Sequence, residues 1–142
     1  LKGRALRLLS GREHSRLELE RKLQRYEDVP GELATALDDL QAKGFISEQR
    51  VLESVVNRRA GKLGASRIKQ ELQTMGLDPE LVSGAMVALR AGELVRAREV
   101  WLKKFGAQPQ DSGERAKQMR FLAGRGFAGD TIRRVVSGGE ED

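Results

Sequence analysis

Apolar residues recur along this chain at the spacing of amphipathic helices. Val51, Leu52 and Val55 form one such row, and Ile68 and Leu72 begin another. Residues three and four positions apart lie on one face of a helix, so each row predicts a buried helical face. No stretch shows the sustained alternation of apolar and polar residues that is typical of a half-buried strand. The pattern therefore predicts an all-α chain.

The apolar pattern also repeats itself at a constant offset along the chain. The segment 72–85 carries a leucine, a glycine, a large apolar residue and two further apolar positions, and 122–135 carries the same series. A third, looser copy begins at Ser15. Self-similarity at such a period is typical of stacked helical repeats. We therefore expect an elongated, curved array of three tandem three-helix repeats, 1–46, 47–91 and 92–138, followed by an acidic tail, 139–142.

Polar residues and glycines mark where these helices begin and end. Ser15 and Glu18 have the spacing of a capping box, and Asp78 precedes a proline, as is common at a helix start. Gly76 stands where a helix would end in the left-handed conformation. These signals predict nine helices in three groups, each with a longer first helix and two shorter ones in a helix-turn-helix-like arrangement. The segment 106–113 is the predicted loop between the second and third units.

Composition limits the class of protein. Aromatic residues make up 4% of the chain and charged residues 33%, so several small aliphatic cores are expected instead of one deep core. The sequence has no cysteine, which excludes a disulfide framework and thiolate chemistry and favours the reducing cytoplasm. No apolar run approaches the roughly 18 residues of a membrane-spanning helix. We expect a cytoplasmic protein without a membrane segment.

Charge is unevenly distributed along the chain. The net charge is +5, yet the last three residues are all acidic, so the remainder is distinctly basic. Residues 51–110 hold ten Lys and Arg against six Asp and Glu, whereas residues 1–50 are nearly balanced at +1. A basic body is typical of proteins that contact polyanions or an acidic partner surface. Ordinary charge for solubility is the alternative interpretation.

Candidate catalytic chemistry is absent from the sequence pattern. His14 is the single histidine, and we expect it to be exposed near a helix start. The carboxylates show no pairing of the kind that supports acid–base catalysis. The glycine-containing segment 61–66 lacks the residue order and the preceding strand of a phosphate loop, so it predicts a flexible join between two helices. We therefore expect neither an enzyme nor a metal or cofactor site.

Two clusters of basic residues are the candidate partner- or DNA-binding positions. One flanks the segment 61–66, and the other occupies the equivalent part of the third unit. Arg67 lies near a predicted helix start, where the helix dipole disfavours a cation, which indicates a role beyond helix stability. Phosphate binding and pairing with an acidic protein both fit, and a solvated helix face is the alternative. The candidates are Arg58, Arg59, Lys62, Arg67, Lys69, Arg115, Lys117, Arg120 and Arg125.

Three segments of the chain resemble, in order, the RecX family of bacterial recombination regulators. They are ALRLLS with REHS near the start, NRR with GASRIKQEL in the middle, and KQMRFLAGRGF towards the end, at 5–15, 57–72 and 117–127. The resemblance implies three tandem three-helix repeats without catalytic residues or cofactors. It also implies binding in the groove of the RecA filament on single-stranded DNA, with inhibition of filament growth, ATPase, strand exchange and coprotease activity.

A free-standing basic helical protein that acts on naked DNA is the alternative function. It predicts salt-dependent binding to bare duplex that is at least as tight as binding to a RecA filament. The expected partners are thus the RecA filament and, in addition, single- and double-stranded DNA, and the expected state is a monomer. If the central cluster contacts the filament, charge reversal at Arg58, Arg59 and Arg67 weakens inhibition of the RecA ATPase.

Overall fold

The computed structural model describes residues 1–138, and the predicted acidic tail, 139–142, lies outside the described residues. Within them the chain forms nine α-helices, one 3₁₀ turn (Gln24–Tyr26) and no strand, which confirms the all-α prediction. None of these helices is long and apolar enough to cross a membrane. The helices are α1 (Lys2–Gly11), α2 (Arg16–Leu23), α3 (Glu32–Ala42), α4 (Glu48–Arg59), α5 (Ala65–Thr74), α6 (Pro79–Ala91), α7 (Glu93–Lys104), α8 (Ser112–Gly124) and α9 (Gly129–Val136).

The nine helices of residues 1–138 form three groups of three, and each group surrounds a small core of its own. One cluster of buried side chains lies among α1–α3, a second among α4–α6 and a third among α7–α9. These groups are termed the first, second and third units. Their cores consist mainly of aliphatic side chains, with Trp101 and Phe127 as the buried aromatic residues of the third. The prediction of three-helix units with small cores is therefore confirmed.

The helix starts follow the predicted capping chemistry. Ser15 Oγ accepts a hydrogen bond from the Glu18 backbone N–H at 3.2 Å, and the Glu18 carboxylate accepts one from the Ser15 N–H at 2.9 Å. Asp78 Oδ1 accepts from the Glu80 N–H at 3.0 Å, one residue after the proline that begins α6. Each bond satisfies a backbone donor that has no partner within its helix. The predicted capping box and the predicted start at Asp78 are confirmed.

A left-handed glycine followed by a buried apolar residue produces the repeat seen in the sequence. Gly76 has φ 71° and Gly126 has φ 89°, a conformation that residues with a Cβ rarely adopt. The next residues, Leu77 and Phe127, are each only 5% exposed and enter the cores of the second and third units. The same turn thus joins α5 to α6 and α8 to α9.

Two features of the predicted helix layout are wrong. The first helix of a unit is not the longest, because α6 and α8 have 13 residues each whereas α4 and α7 have 12. The loop predicted at 106–113 lies between α7 and α8, inside the third unit, and Gly92 alone separates α6 from α7. Trp101 on α7 donates to the buried Gln118 on α8 at 2.9 Å, so both helices belong to one core. The proline and glycines of 106–113 therefore mark a loop within the third unit and not a boundary between units.

The prediction that His14 is exposed is also wrong. His14 is only 2% exposed, with Nδ1 3.1 Å from the Arg12 carbonyl oxygen and Nε2 3.0 Å from Lys22 Nζ. Because an ammonium group can only donate, Nε2 accepts from Lys22 and Nδ1 carries the proton that is donated to Arg12. Burial lowers the pKa of His14, in keeping with this neutral form.

Candidate partner-binding surface

Arg58 and Arg59 lie at the C-terminal end of α4 and face the same carboxylate. Arg59 Nε donates to Glu71 Oε1 at 3.0 Å, and Arg58 Nη2 lies 3.9 Å from Glu71 Oε2. Both arginine side chains stay more than two-fifths exposed, at 47% and 41%. Exposed ion pairs of this kind stabilise a fold by less than about 1 kcal/mol. Their charge is partly balanced inside the second unit, yet a partner can still reach it.

Arg67 connects α5 to the turn between α8 and α9. Its Nη1 donates to the Gly124 carbonyl oxygen at 2.5 Å, and its aliphatic stem packs where a Cβ on Gly126 would stand. The Gly64 N–H, just before α5, donates to the Arg125 carbonyl oxygen at 2.7 Å. The segment predicted as a flexible join is therefore fixed against the third unit, and Arg67 contributes to that contact.

A buried carboxylate, which the sequence did not single out, holds the same two units together. Glu93 is only 5% exposed and accepts from the Ala65 N–H at 2.9 Å through one oxygen. Its other oxygen accepts from the Ala128 N–H at 3.0 Å and from the Thr131 hydroxyl at 3.3 Å. The N-terminal ends of α5 and α9 thus converge on one anion, as the helix dipoles favour.

Arg96, one turn after Glu93, makes the complementary contacts with helix C-termini. Its Nε donates to the Ala60 carbonyl oxygen at 2.9 Å, and its Nη1 donates to the Leu89 carbonyl oxygen at 2.6 Å. Burial lowers the pKa of this guanidinium, and the Glu93 charge opposes that change. An anion at two helix starts and a cation at two helix ends fix the second and third units relative to each other.

This contact between units creates a cleft whose charged side chains are all basic. We term it the junction cleft; it has a volume of about 260 Å³ and combines the α4–α5 connection with α7 and α8. No carboxylate among residues 1–138 lines it. Its side chains belong to Lys62, Val100, Lys103, Lys104, Phe121 and Arg125. Cations from both units therefore surround one partly apolar depression.

Phe121 organises the cations of the junction cleft. The Arg125 guanidinium carbon lies 4.8 Å and Lys104 Nζ lies 5.4 Å from the centroid of the Phe121 ring. Phe105 packs edge-on against the same ring at 5.5 Å between centroids. Cation–π contacts at this distance orient a charged group without neutralising it, so the charges stay available to an anionic partner.

The structure brings some of the predicted cations together and leaves others apart. Lys62 and Arg125 line the junction cleft, together with Lys103 and Lys104, which the sequence had not indicated. Lys117 lies one helical turn before Phe121 on α8, beside the cleft but outside its lining. The other three, Lys69, Arg115 and Arg120, also lie outside it.

Two family models match the chain once it is compared with known proteins. Residues 47–86 match the second three-helix domain of RecX, and residues 92–136 match the third, together more than half of the chain. The chain belongs to the RecX family. Both matches fall on the helices of the second and third units, which confirms the resemblance seen in the sequence.

Curated RecX proteins are similar to the chain over nearly its whole length. "Regulatory protein RecX" of Leptothrix cholodnii is 52% identical over 136 residues, which cover 96% of this chain and 87% of the relative. That of Herminiimonas arsenicoxydans is 49% identical over 142 residues, covering 100% and 94% of the two chains. Identity at this level over the full length shows a RecX-type regulatory protein.

Solved RecX structures share the fold. A crystal structure of a regulatory protein RecX superposes with a TM-score of 0.79 at 18% identity, over 96% of this chain and 71% of that one. The crystal structure of RecX from Lactobacillus salivarius gives a TM-score of 0.74 at 21% identity, over 99% and 95% of the two chains. The three-helix arrangement is thus shared by RecX proteins whose sequences differ widely.

Proposed function

We propose that this chain is a negative regulator of the RecA recombinase. It binds in the groove of the RecA filament on single-stranded DNA and inhibits filament growth, ATPase, strand exchange and coprotease activity. RecX family membership supports the regulatory role, and the junction cleft is the observation that supports binding to an anionic surface. The protein acts by binding, without a catalytic group or a cofactor.

The fixed contact between the second and third units supports a bridging mechanism. Glu93 and Arg67 hold the two units in one arrangement, so the cations of the junction cleft keep a fixed spacing. A rigid body that touches neighbouring protomers adds several weak contacts through a high effective concentration. Such a bridge favours the filament arrangement that it fits and disfavours the others, which inhibits RecA without any chemistry in this chain.

The charge of the cleft indicates what the contacted surface is made of. Four cations without a carboxylate fit acidic side chains of the filament or the phosphates of its DNA. In either case, association is accelerated by electrostatic attraction and weakened by salt.

A binding titration separates this function from the alternative of a naked-DNA-binding protein. The full chain is titrated against RecA filaments, bare single-stranded DNA and bare duplex of the same length at the same salt concentration. We expect the filament to bind more tightly than either DNA alone. Binding to bare duplex that equals or exceeds binding to the filament contradicts the proposal and supports the free-standing DNA-binding protein.

The contacts also decide which substitutions can test the surface. Reversal of Arg59 would place a second carboxylate against Glu71, and reversal of Arg67 would remove its bond to the third unit. Both changes disturb contacts within the fold as well as the charge of the surface. Lys103 and Lys104 make no ion pair within residues 1–138, so their reversal leaves no carboxylate facing a former partner; it removes the cation–π contact of Lys104 with Phe121 and adds negative charge at the end of α7.

A further inference from the structure

The first unit contains a second basic cleft that the sequence did not predict. It lies between α1 and the end of α2 with the 3₁₀ turn, and it has a volume of about 530 Å³. We term it the first-unit cleft. The side chains that matter to its chemistry are Arg4, Arg7, Arg21, Lys22, Arg25 and Tyr26. All five cations are exposed, so the cleft is open to a ligand from solvent.

Helical spacing places these cations in two facing rows. Arg4 and Arg7 are three residues apart on α1, and Arg21 and Arg25 are four apart on the opposite side. A separation of three residues on α1 brings Arg4 and Arg7 to one helix face, and the 3₁₀ turn brings Arg25 to the same cleft as Arg21. Two rows of like charge across a cleft repel each other, and that repulsion favours the arrival of an anion.

Most carboxylates of the first unit are engaged elsewhere. Glu18 pairs with Arg12 at 2.8 Å, and Arg16 pairs with both Glu20 at 3.1 Å and Asp38 at 2.6 Å. Within residues 1–138, no carboxylate lines the first-unit cleft, and none pairs with its five cations. The net charge of residues 1–50 is therefore close to zero although the first-unit cleft carries a local excess of positive charge.

Neutral groups hold most of these cations in place. The Arg4 guanidinium lies 3.7 Å from the centroid of the Tyr26 ring, and Arg25 Nη2 donates to the Tyr26 hydroxyl at 2.8 Å. Lys22 Nζ donates to His14 at 3.0 Å, and Arg21 Nη1 donates to the Thr74 carbonyl oxygen at 3.2 Å. These contacts orient the side chains and leave their charge unbalanced, which lowers the cost of ordering them around a ligand.

The donor chemistry of the cleft selects among anions. Arginine and lysine side chains donate hydrogen bonds and accept none, and the Tyr26 hydroxyl oxygen already accepts from Arg25. A peptide presents N–H donors as well as acceptors, and the charged side chains of the cleft can bond only to its acceptors. A phosphodiester chain presents acceptor oxygens only, and guanidinium groups match them with paired hydrogen bonds.

We propose that the first-unit cleft binds the phosphate backbone of a single nucleic-acid strand. The site is separate from the junction cleft, since its residues belong to the first unit. Tyr26 serves to position the arginines, because the Arg4 guanidinium already covers its ring. Binding depends on backbone charge, so it is insensitive to base sequence and falls with salt.

The test measures binding of the full chain to a fluorescein-labelled oligothymidine of about 20 nucleotides, longer than the usual site size of one small domain. Fluorescence anisotropy is recorded without RecA between about 50 and 200 mM salt. The double variant Arg4→Gln, Arg7→Gln should bind roughly tenfold more weakly and lower the salt slope by about 1.4, or 0.7 for each lost contact. The single variant Arg7→Gln should show about half the change in slope.

A matched control removes the same charge outside the cleft. Lys2 and Lys43 also belong to the first unit, and both pair with Asp39, at 2.7 and 3.0 Å. The double variant Lys2→Gln, Lys43→Gln should bind the strand like the unaltered protein. Among the described residues, Arg7 makes no hydrogen bond or cation–π contact with Tyr26, so Arg7→Gln tests the cleft even if loss of Arg4 disturbs the fold.

Competition experiments identify the source of the bound anion. Unlabelled oligothymidine should displace the labelled strand better than tripolyphosphate or polyglutamate at equal charge. Equal displacement by tripolyphosphate would assign the cleft to free phosphates, and equal displacement by polyglutamate would assign it to an acidic peptide; both overturn the proposal. Cleft variants that bind like the control overturn it as well. The assay contains no RecA, so its outcome is independent of the proposed regulatory function.

Discussion

At the scale of single residues, the effect of adding a side chain at a glycine depends on the atoms around it, as two glycines show. Gly61 and Gly64 lie in the same short connection between α4 and α5. A Cβ on Gly61 would meet nothing within 4 Å, whereas one on Gly64 would collide with the Gly126 carbonyl group. The sequence places both in a turn, but it does not show which of them faces another unit.

Alanine substitutions at these two glycines should therefore have opposite outcomes. Gly64→Ala forces the second and third units apart, and overpacking of this kind costs roughly 1 to 3 kcal/mol. Gly61→Ala fits without contact and should be neutral or slightly stabilising, by up to about 1 kcal/mol. Urea unfolding of both variants measures the difference. Equal midpoints would show that the close approach at Gly64 is absent in solution.

The buried His14 predicts a pH dependence of stability. Its pKa in the folded chain lies below the ordinary value of 6.5, so the unfolded chain binds a proton more readily. Stability is therefore full above pH 6.5 and falls as the pH drops through the lowered pKa. A proton on Nε2 would also face the Lys22 ammonium group at 3.0 Å.

His14→Gln keeps one donor and one acceptor but does not titrate. We expect its urea midpoint to change less between pH 7.5 and 5 than that of the unaltered chain, with the pH interval chosen to span the ordinary histidine pKa of about 6.5. Titration of Glu18 does not affect this comparison near pH 7.5. Burial raises the pKa of Glu18, but hydrogen bonds from Arg12 and Ser15 outweigh burial and lower it, so its contribution is lost only at more acidic pH. Parallel pH profiles for the two proteins would contradict the assigned role of His14.

At the scale of helices, the predictable features are those set by neighbouring residues in the chain. The capping box at Ser15, the start at Asp78 and the glycine turns at Gly76 and Gly126 each depend on a few adjacent positions, and all were predicted. Glu93 could not be found this way, because its partners lie 28 and 35 residues away. The unit boundaries 1–46, 47–91 and 92–138 remain our proposal.

Glu93 should contribute more to stability than other carboxylates on α7. Glu93→Gln replaces one acceptor oxygen by an NH₂ donor, which would face the N–H of Ala65 or Ala128. Leaving a buried donor unpaired costs about 1 to 3 kcal/mol. Glu99 lies exposed on the same helix, so Glu99→Gln is the matched control and should be nearly neutral.

Urea unfolding measures the free energy, and amide hydrogen exchange locates the change. Faster exchange at the start of α5 and α9 in Glu93→Gln, with the first unit unchanged, is expected. A variant that loses stability without faster exchange at these helix starts would show that Glu93 acts elsewhere than at the contact between the units.

At the scale of the whole molecule, charge summed along the sequence predicted a basic body. It did not predict where on the surface the cations gather. Lys62 and Arg125 were candidates from the sequence, and the fold adds Lys103 and Lys104 from α7, which the sequence had not indicated. The first unit looked balanced, yet five of its cations gather in one cleft while most of its carboxylates bind other groups. Residues far apart in the sequence come together only when the helices pack against one another. The amino-acid composition carries no information about that packing.

The proposed regulation of RecA can be tested on the junction cleft without altering the fold. Lys103 and Lys104 lie in the last turn of α7, so reversing them also places two anions near a helix C-terminus. Arg90 and Arg133 occupy the last turns of α6 and α9 outside the junction cleft, and Arg90→Glu, Arg133→Gln is the control, because Arg133 pairs with Asp130 and a glutamate there would face that carboxylate. We expect both double variants to stay helical, which circular dichroism measures.

The most direct measurement is the rate of ATP hydrolysis by RecA on single-stranded DNA as this protein is titrated in. We predict that the unaltered chain and the control variant lower the rate at similar concentrations. Lys103→Glu, Lys104→Glu should need at least about tenfold more protein, equivalent to about 1.4 kcal/mol of lost binding. A rate that the unaltered chain leaves unchanged would contradict the proposed function, and equal inhibition by the helical Lys103→Glu, Lys104→Glu variant would contradict the role of the junction cleft.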